Sequence, residues 1–266
     1  MTFIKCIFAV LVTYCVTHTL LAFFPDPLFP YQHTYRNFTV HMREEIPPQI
    51  TGVLDRVESL LAASEINDRR IHHEIYIFNS FRLSRYLLLR NVHFGCNLPN
   101  GHTFITWADV ANDIARCELI SPDDRRIRTL SESIAHEITH ALIRNHVGWL
   151  ANWRLPAWVS EGYCEYVADG SAIDHRTGLS MMKSSFPLFT PGLQNFRYRL
   201  AVEYLIKGKH MTITEMLRSP PDYRETEAEV IAGLREDEKG LLKKLGSRIG
   251  GRERPGYEIH RREPDP

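Results

Sequence analysis

The 266-residue chain has no excess of charge of either sign, with 32 basic side chains against 32 acidic ones. A protein whose main partner is nucleic acid needs a basic surface, so no nucleic-acid partner is expected. No internal repeat is visible. Cysteine is scarce, five in all: Cys6 and Cys15 near the start, then Cys96, Cys117 and Cys164. Cys96 and Cys117 would pair in an oxidising compartment if their geometry allowed it; buried thiols are the alternative. Long apolar runs are missing too, apart from one. What remains is ordinary globular composition, 44% hydrophobic and 24% charged, enough for one substantial domain.

The exception is Phe3 to Phe24, where Lys5 and His18 are the ionisable intrusions. A helix of this length, at ~1.5 Å per residue, matches a hydrocarbon core of ~30 Å. Lys5 before most of the run and Asp26 after it favour an inside N-terminus. The expectation is therefore a membrane anchor with the body extracytoplasmic, periplasmic or extracellular. A cleaved signal segment, giving a secreted protein, is the alternative. Residues 1–30 form this segment and its Pro-rich linker, 31–249 the folded domain and 250–266 a disordered tail with almost no apolar residues. Asn37-Phe38-Thr39 is a glycosylation sequon if the domain is translocated.

Along the domain, Phe38, Val40 and Met42 alternate like a half-buried strand, and Pro47-Pro48 opens a helical stripe from Ile50 to Leu61. Glu74 to Phe78 reads as a strand, with a helix through Leu87 to Leu89. Asn100-Gly101 is a turn, and Thr103 to Trp107 a third strand. The fold class expected is α+β: a small N-terminal mixed sheet with helices, then a helical C-terminal part. A second helix covers Ala157 to Asp169. A loop runs from Ser171 to about Gly192, a helix from about Gln194 to Lys207, and a short one from Thr214 to Arg218. Two charged helical stretches occupy Glu225 to Arg248.

The segment with chemistry in it is Thr129 to Gly148. Ser121 as N-cap, Pro122 at the first helical position and Asp123-Asp124 predict where this helix starts. Ile127, Leu130, Ile134, Ile138 and Ala141 or Leu142 form its apolar stripe. Ser133, His136, Glu137, His140 and Arg144 lie on the other side. His136, Glu137 and His140 spell H-E-x-x-H. Residues four apart on a helix are about 40° apart around the axis, so both imidazoles face one way. Two neutral imidazoles on one face suit zinc, and Glu137 beside them suits a general base.

A third ligand must come from elsewhere. Glu161 lies 21 residues past His140 in Trp158-Val159-Ser160-Glu161-Gly162-Tyr163-Cys164-Glu165-Tyr166. With the H-E-x-x-H helix, this segment resembles the gluzincin zinc peptidases, the group holding thermolysin and the aminopeptidases, over about Thr129 to Ala168. The resemblance implies a zincin-like domain, one Zn2+ held by His136, His140 and Glu161, and Glu137 as the base. Glu165 matches the carboxylate that steadies a zinc-bound histidine, and Tyr198 the oxyanion donor on a later helix, ahead of Tyr204 and His210.

His146 is the competing third ligand, at the offset metzincins use. Metzincins break the helix with a glycine where Ile143 stands here, so a continuing helix turns His146 about 120° from His140. His146 then reads as a residue favourable to the helix C-terminus. Cys164 is expected near the metal, as a small buried hydrophobe or a modulating thiol. His72, His73, His102, His175 and His260 have no partner at ligand spacing. The function implied is a zinc-dependent peptidase acting on peptides or proteins. A zinc hydrolase of a non-peptide amide and an inactive binding module are the other classes. No oligomeric state follows from the sequence.

Overall fold

The computed structural model describes residues 2–88, 94–117, 127–170, 173, 175–183 and 191–236. The chain is α+β. Its elements begin with helix α1 (Thr2–Phe23), a 3-10 turn (Asp26–Leu28), β1 (Tyr31–Tyr35), β2 (Phe38–Met42), α2 (Ile50–Leu61), β3 (His73–Ile77) and α3 (Phe81–Leu88). Then come β4 (Gly95–Asn97), β5 (Thr103–Ile105), β6 (Ala108–Asp109), β7 (Ile114–Arg116) and β8 (Ile127–Thr129). The rest is helical: α4 (Leu130–Val147), α5 (Trp149–Arg154), α6 (Ala157–Val167), α7 (His175–Lys183), α8 (Pro191–Glu203), a π-helical turn (Tyr204–Gly208), α9 (Ile213–Arg218) and α10 (Tyr223–Glu236).

The main sheet runs β1-β2-β3-β5-β4. Its centre is parallel, β2 with β3 and β3 with β5, and both outer pairs are antiparallel. Alternation decides what each face packs against. Phe38, Val40, Met42, Ile75, Ile77 and Ile105 point to one side and join Val53, Leu54 and Val57 of α2 and Ile134, Ile138 and Leu142 of α4 in the main core. Tyr76, Phe78 and Phe104 point to the other side, where Phe29 and Leu87 cover them. A second sheet, β6-β7-β8, is antiparallel and feeds directly into α4.

The start of α4 differs from the expected one. Residues 118–126, with Ser121, Pro122, Asp123 and Asp124, lie outside the described residues, and Ile127 is in a strand. The helix begins at Leu130 with Thr129 as N-cap in a reciprocal capping box with Glu132. Asp113 supplies the remaining acceptors. Leu130 N–H donates to its carbonyl at 3.0 Å, and Ser131 N–H to its carboxylate at 2.9 Å. Three of the helix's orphan N–H groups are thereby satisfied. Ser121 and Pro122 carry good local signals, but the tertiary partners stand at Thr129.

Other expectations shift less. The third strand is Thr103–Ile105, the 171–192 stretch holds α7, and α5 fills what read as connection. The described part of the expected Glu225 to Arg248 pair is α10; the remainder and the 250–266 tail lie outside the described residues. Cys96 and Cys117 are buried thiols with no disulfide between them. In the sequon, the Asn37 amide donates to the Ile71 carbonyl at 3.1 Å and Thr39 is buried.

The N-terminal expectation is corrected. Among the described residues no helix is long and apolar enough to cross a membrane, so the anchor and the localisation drawn from it are not kept. The described side chains of α1 include Thr13, Tyr14, Thr17, His18 and Thr19, which break up the apolar face. His18 is buried, its Nε2 lies 2.7 Å from the Tyr86 carbonyl, and its ring meets the Tyr86 ring edge-on. That imidazole is satisfied by α3.

Candidate metal centre

Helix α4 delivers His136, Glu137 and His140 from its middle, with Leu130, Ile134, Ile138 and Leu142 fixing its roll against the sheet. His136 and Glu137 are nevertheless buried, because α6 and the edge strand β4 close over this face. The two imidazoles meet at a centroid distance of 5.0 Å and an angle of 76°.

Helix α6 brings Glu161 against both. One carboxylate oxygen lies 3.4 Å from His136 Nε2 and the other 3.5 Å from His140 Nε2. A tetrahedral ion with ligand distances of ~2.0–2.1 Å sets neighbouring ligand atoms about 3.4 Å apart. Each imidazole nitrogen thus stands at about that spacing from Glu161, though from a different carboxylate oxygen in each case. Burial works to raise the Glu161 pKa and is its largest single influence. The His136 contact and the charges of His140, His136 and Arg128 outweigh it and draw the carboxyl down to about 2. For His136, burial again opposes the charged form most strongly, but Glu161, Glu165 and Glu137 together raise its pKa.

The other ring nitrogens face polar side chains. His140 Nδ1 is 3.2 Å from the Ser160 hydroxyl. His136 Nδ1 lies 3.5 Å from Glu165 Oε1, which also receives a 3.2 Å bond from Arg128 Nη1. Arg128 donates further to the Gly170 carbonyl at 3.3 Å. Among the described residues His136 Nδ1 has no partner within strict hydrogen-bond geometry. The Glu165 carboxylate faces it at 3.5 Å. A carboxylate on the far nitrogen of a ligating histidine fixes the ring orientation and strengthens it as a donor.

Cys164 brings its sulfur into the same space. The ligand atoms of His136, His140 and Cys164 all lie within 4.8 Å of one another, the sole such group among the described residues. Two sets thus compete, one ending in Glu161 and one in Cys164. Burial, reinforced by Glu161, Glu137 and Glu165, holds the Cys164 thiol far above its ordinary pKa, so it is neutral. Glu161 is anionic, and each of its two oxygens stands 3.4–3.5 Å from one imidazole. His146 is turned away, with Nε2 3.1 Å from the Thr214 hydroxyl.

Two glycines let backbone approach the site. A Cβ on Gly95 would stand 2.5 Å from the Phe104 carbonyl and 3.1 Å from Glu137 Cγ, so β4 lies flush against Glu137. A Cβ on Gly162 would stand 2.5 Å from the Tyr198 carbonyl, which seats α8 directly behind Glu161. The Tyr198 side chain accepts a hydrogen bond from Gln194 and packs edge-on to Tyr223 at 5.2 Å. Tyr204 donates to Glu229 at 2.8 Å, and His210 is exposed.

Sequence reasoning missed Arg128, which no local pattern marks: it is one arginine in a three-residue strand. It also left Ser160 without a role, although that residue precedes the candidate ligand Glu161. Comparison with models of known protein families, and with curated proteins, gives no match to this chain.

Proposed function

We propose that this chain is a zinc-dependent peptidase of zincin-like fold, with His136, His140 and Glu161 holding one Zn2+ and Glu137 as general base. The observation that carries the reading is the division of one carboxylate, Glu161, between the outward nitrogens of two imidazoles on one helix, at 3.4 and 3.5 Å. A glutamate adjacent to those imidazoles is unnecessary for a structural zinc site, which weighs against an inactive binding module.

A zinc ion bound there would lower the pKa of a water and polarise the substrate carbonyl. Glu137 accepts the proton of the attacking water and delivers it to the leaving amine. Glu165, held by Arg128, keeps the His136 ring turned with Nε2 toward Glu161. Tyr198 is the proposed oxyanion donor on the family resemblance alone, its hydroxyl accepting from Gln194.

A peptide is favoured over a small amide by β4. It is the end strand of the main sheet and lies against Glu137 through Gly95. An edge strand offers unpaired backbone groups to an extended chain, and main-chain pairing of this kind suits peptides.

The test is metal analysis together with a peptide-library assay on wild type and Glu137→Gln. Zinc in both proteins with cleavage by wild type alone is the expected result. Equal cleavage by the two would remove Glu137 from the mechanism.

A further inference from the structure

Arg144 follows His140 by one turn of α4 and His136 by two, so it stays on the face that carries the imidazoles. It is half-buried. Its described hydrogen bond is donated to Asn97 Oδ1 at 2.7 Å, and among the described residues no carboxylate stands against it. Burial lowers the pKa of this guanidinium, and no charge among the described residues offsets the loss of water. The molecule's other described buried or half-buried arginines have carboxylates: Arg128 has Glu165, Arg197 has Glu227 and Arg199 has Asp169. A desolvated guanidinium facing only a neutral amide has spare donors in the fork geometry that carboxylates match.

Its partner is itself held. The Asn97 amide nitrogen donates to the Gly101 carbonyl at 3.0 Å and the Thr103 hydroxyl at 3.1 Å, which leaves Oδ1 aimed at Arg144. Asn97 belongs to β4, two residues beyond Gly95, the residue that lies against Glu137. Strand and helix therefore run side by side in the same direction, Gly95 with Glu137 and Asn97 with Arg144. Two residues of strand span about 6.8 Å.

We propose that Arg144, positioned by Asn97, is a carboxylate-binding subsite, and that the substrate is an extended peptide bearing a carboxylate about two residues from the bond cut. This rests on the peptidase reading for what happens to the peptide, but the binding of a carboxylate does not. The carboxylate has two sources, an Asp or Glu side chain or the free C-terminus of the peptide.

The experiment has two arms. In the first, wild type, Arg144→Met and Arg144→Lys are assayed on matched fluorogenic peptides. These carry Glu or Gln at each position within two residues of the scissile bond, and end in a free acid or an amide. Wild type should prefer the carboxylate, with a preference for Glu identifying a side chain and a preference for the acid terminus identifying the chain end. Arg144→Met should lose about tenfold to a hundredfold in kcat/KM on the preferred peptide and little on its neutral match. Arg144→Lys should recover part of the loss, which a merely structural role would not produce. No discrimination between matched peptides by wild type overturns the subsite and leaves the peptidase reading standing.

The second arm needs no catalysis. Metal-free protein with 15N-labelled arginine is titrated with N-acetylglycine and with N-acetylglycinamide. The Arg144 Nε resonance, assigned with the Arg144→Met protein, should move with the acid and not with the amide. If it moves while no peptide is cut, the subsite holds and the peptidase reading fails. If it responds to neither, or to both alike, the subsite is wrong whatever the first arm shows.

Discussion

Arg128 donates to Glu165 at 3.2 Å in a place where the two side chains are 4% and 2% exposed. Glu165 in turn faces His136, so a pair contributed by a short strand and a helix stands behind the first histidine of the site. Removing one member of a buried ion pair costs about 3–5 kcal/mol, because the other is left uncompensated. Arg128→Met should lower stability by that order in urea denaturation. Arg128→Met with Glu165→Met should recover much of it, since replacing both partners with apolar groups is often neutral. A double variant no more stable than the single one would show that the pair is not the source of the loss.

The competition between Glu161 and Cys164 is decided by metal affinity. Glu161→Ala should lose zinc in a chelator competition, whereas Cys164→Ala should retain it because the buried thiol is neutral. His146→Ala should also retain it, being tied to Thr214. Loss of zinc from Cys164→Ala with full affinity in Glu161→Ala would assign the ion to the cysteine set.

His73 predicts a pH dependence away from the site. It is buried against the Phe38 ring at 5.7 Å, and burial, aided by the charge of His72, depresses its pKa from 6.5 to about 4. The unfolded chain binds this proton below about pH 6.5 and the folded chain only near pH 4. Stability is therefore fully present above pH 6.5 and falls as pH drops toward 4, by about 3 kcal/mol in total. His73→Phe should flatten that part of the curve. An NMR titration placing His73 near 6.5 in the folded protein would contradict it.

Gly162→Ala should be severe for a reason independent of helix propensity. The added methyl would stand 2.5 Å from the Tyr198 carbonyl, a backbone atom with no easy retreat. Overpacking of this kind costs about 1–3 kcal/mol or more, and alanine's better helix propensity returns at most about 1. A thermal melt should show the loss. Because α8 is displaced from behind Glu161, zinc affinity should fall with it, while an alanine at half-buried Gly52, where the nearest neighbour is a flexible arginine end at 3.8 Å, should do neither.

Legibility followed the range of the interaction. Strand β2 was visible because it alternates apolar and polar residues, and β3 and β5 because they are short runs rich in β-branched and aromatic residues. Strands β4, β6, β7 and β8 are two or three residues long and show no period of their own. The capping box at Thr129 and Glu132 was present as a T-x-x-E pattern, but Ser121-Pro122 carried equal local weight. Acceptors from Asp113, 17 and 18 residues upstream of the N–H groups they satisfy, mark the true start. The N-terminal run was misread because hydropathy registers His18 and the threonines only as weak interruptions. A buried partner on α3 makes His18 a packing residue.

The sequence by itself determined that His136, Glu137 and His140 share a helix face, because that follows from a 3.6-residue turn and needs no other part of the chain. It determined likewise that a continuing helix turns His146 away. Only the tertiary structure decided what meets those imidazoles. Glu161 and Cys164 sit three residues apart on one helix, and the packing of α6 on α4 sets the distance of each. Arg128 behind Glu165 and Arg144 beside Asn97 were beyond reach for the same reason. Those contacts join residues 37 and 47 positions apart, and no local period encodes which side chains a folded core brings together.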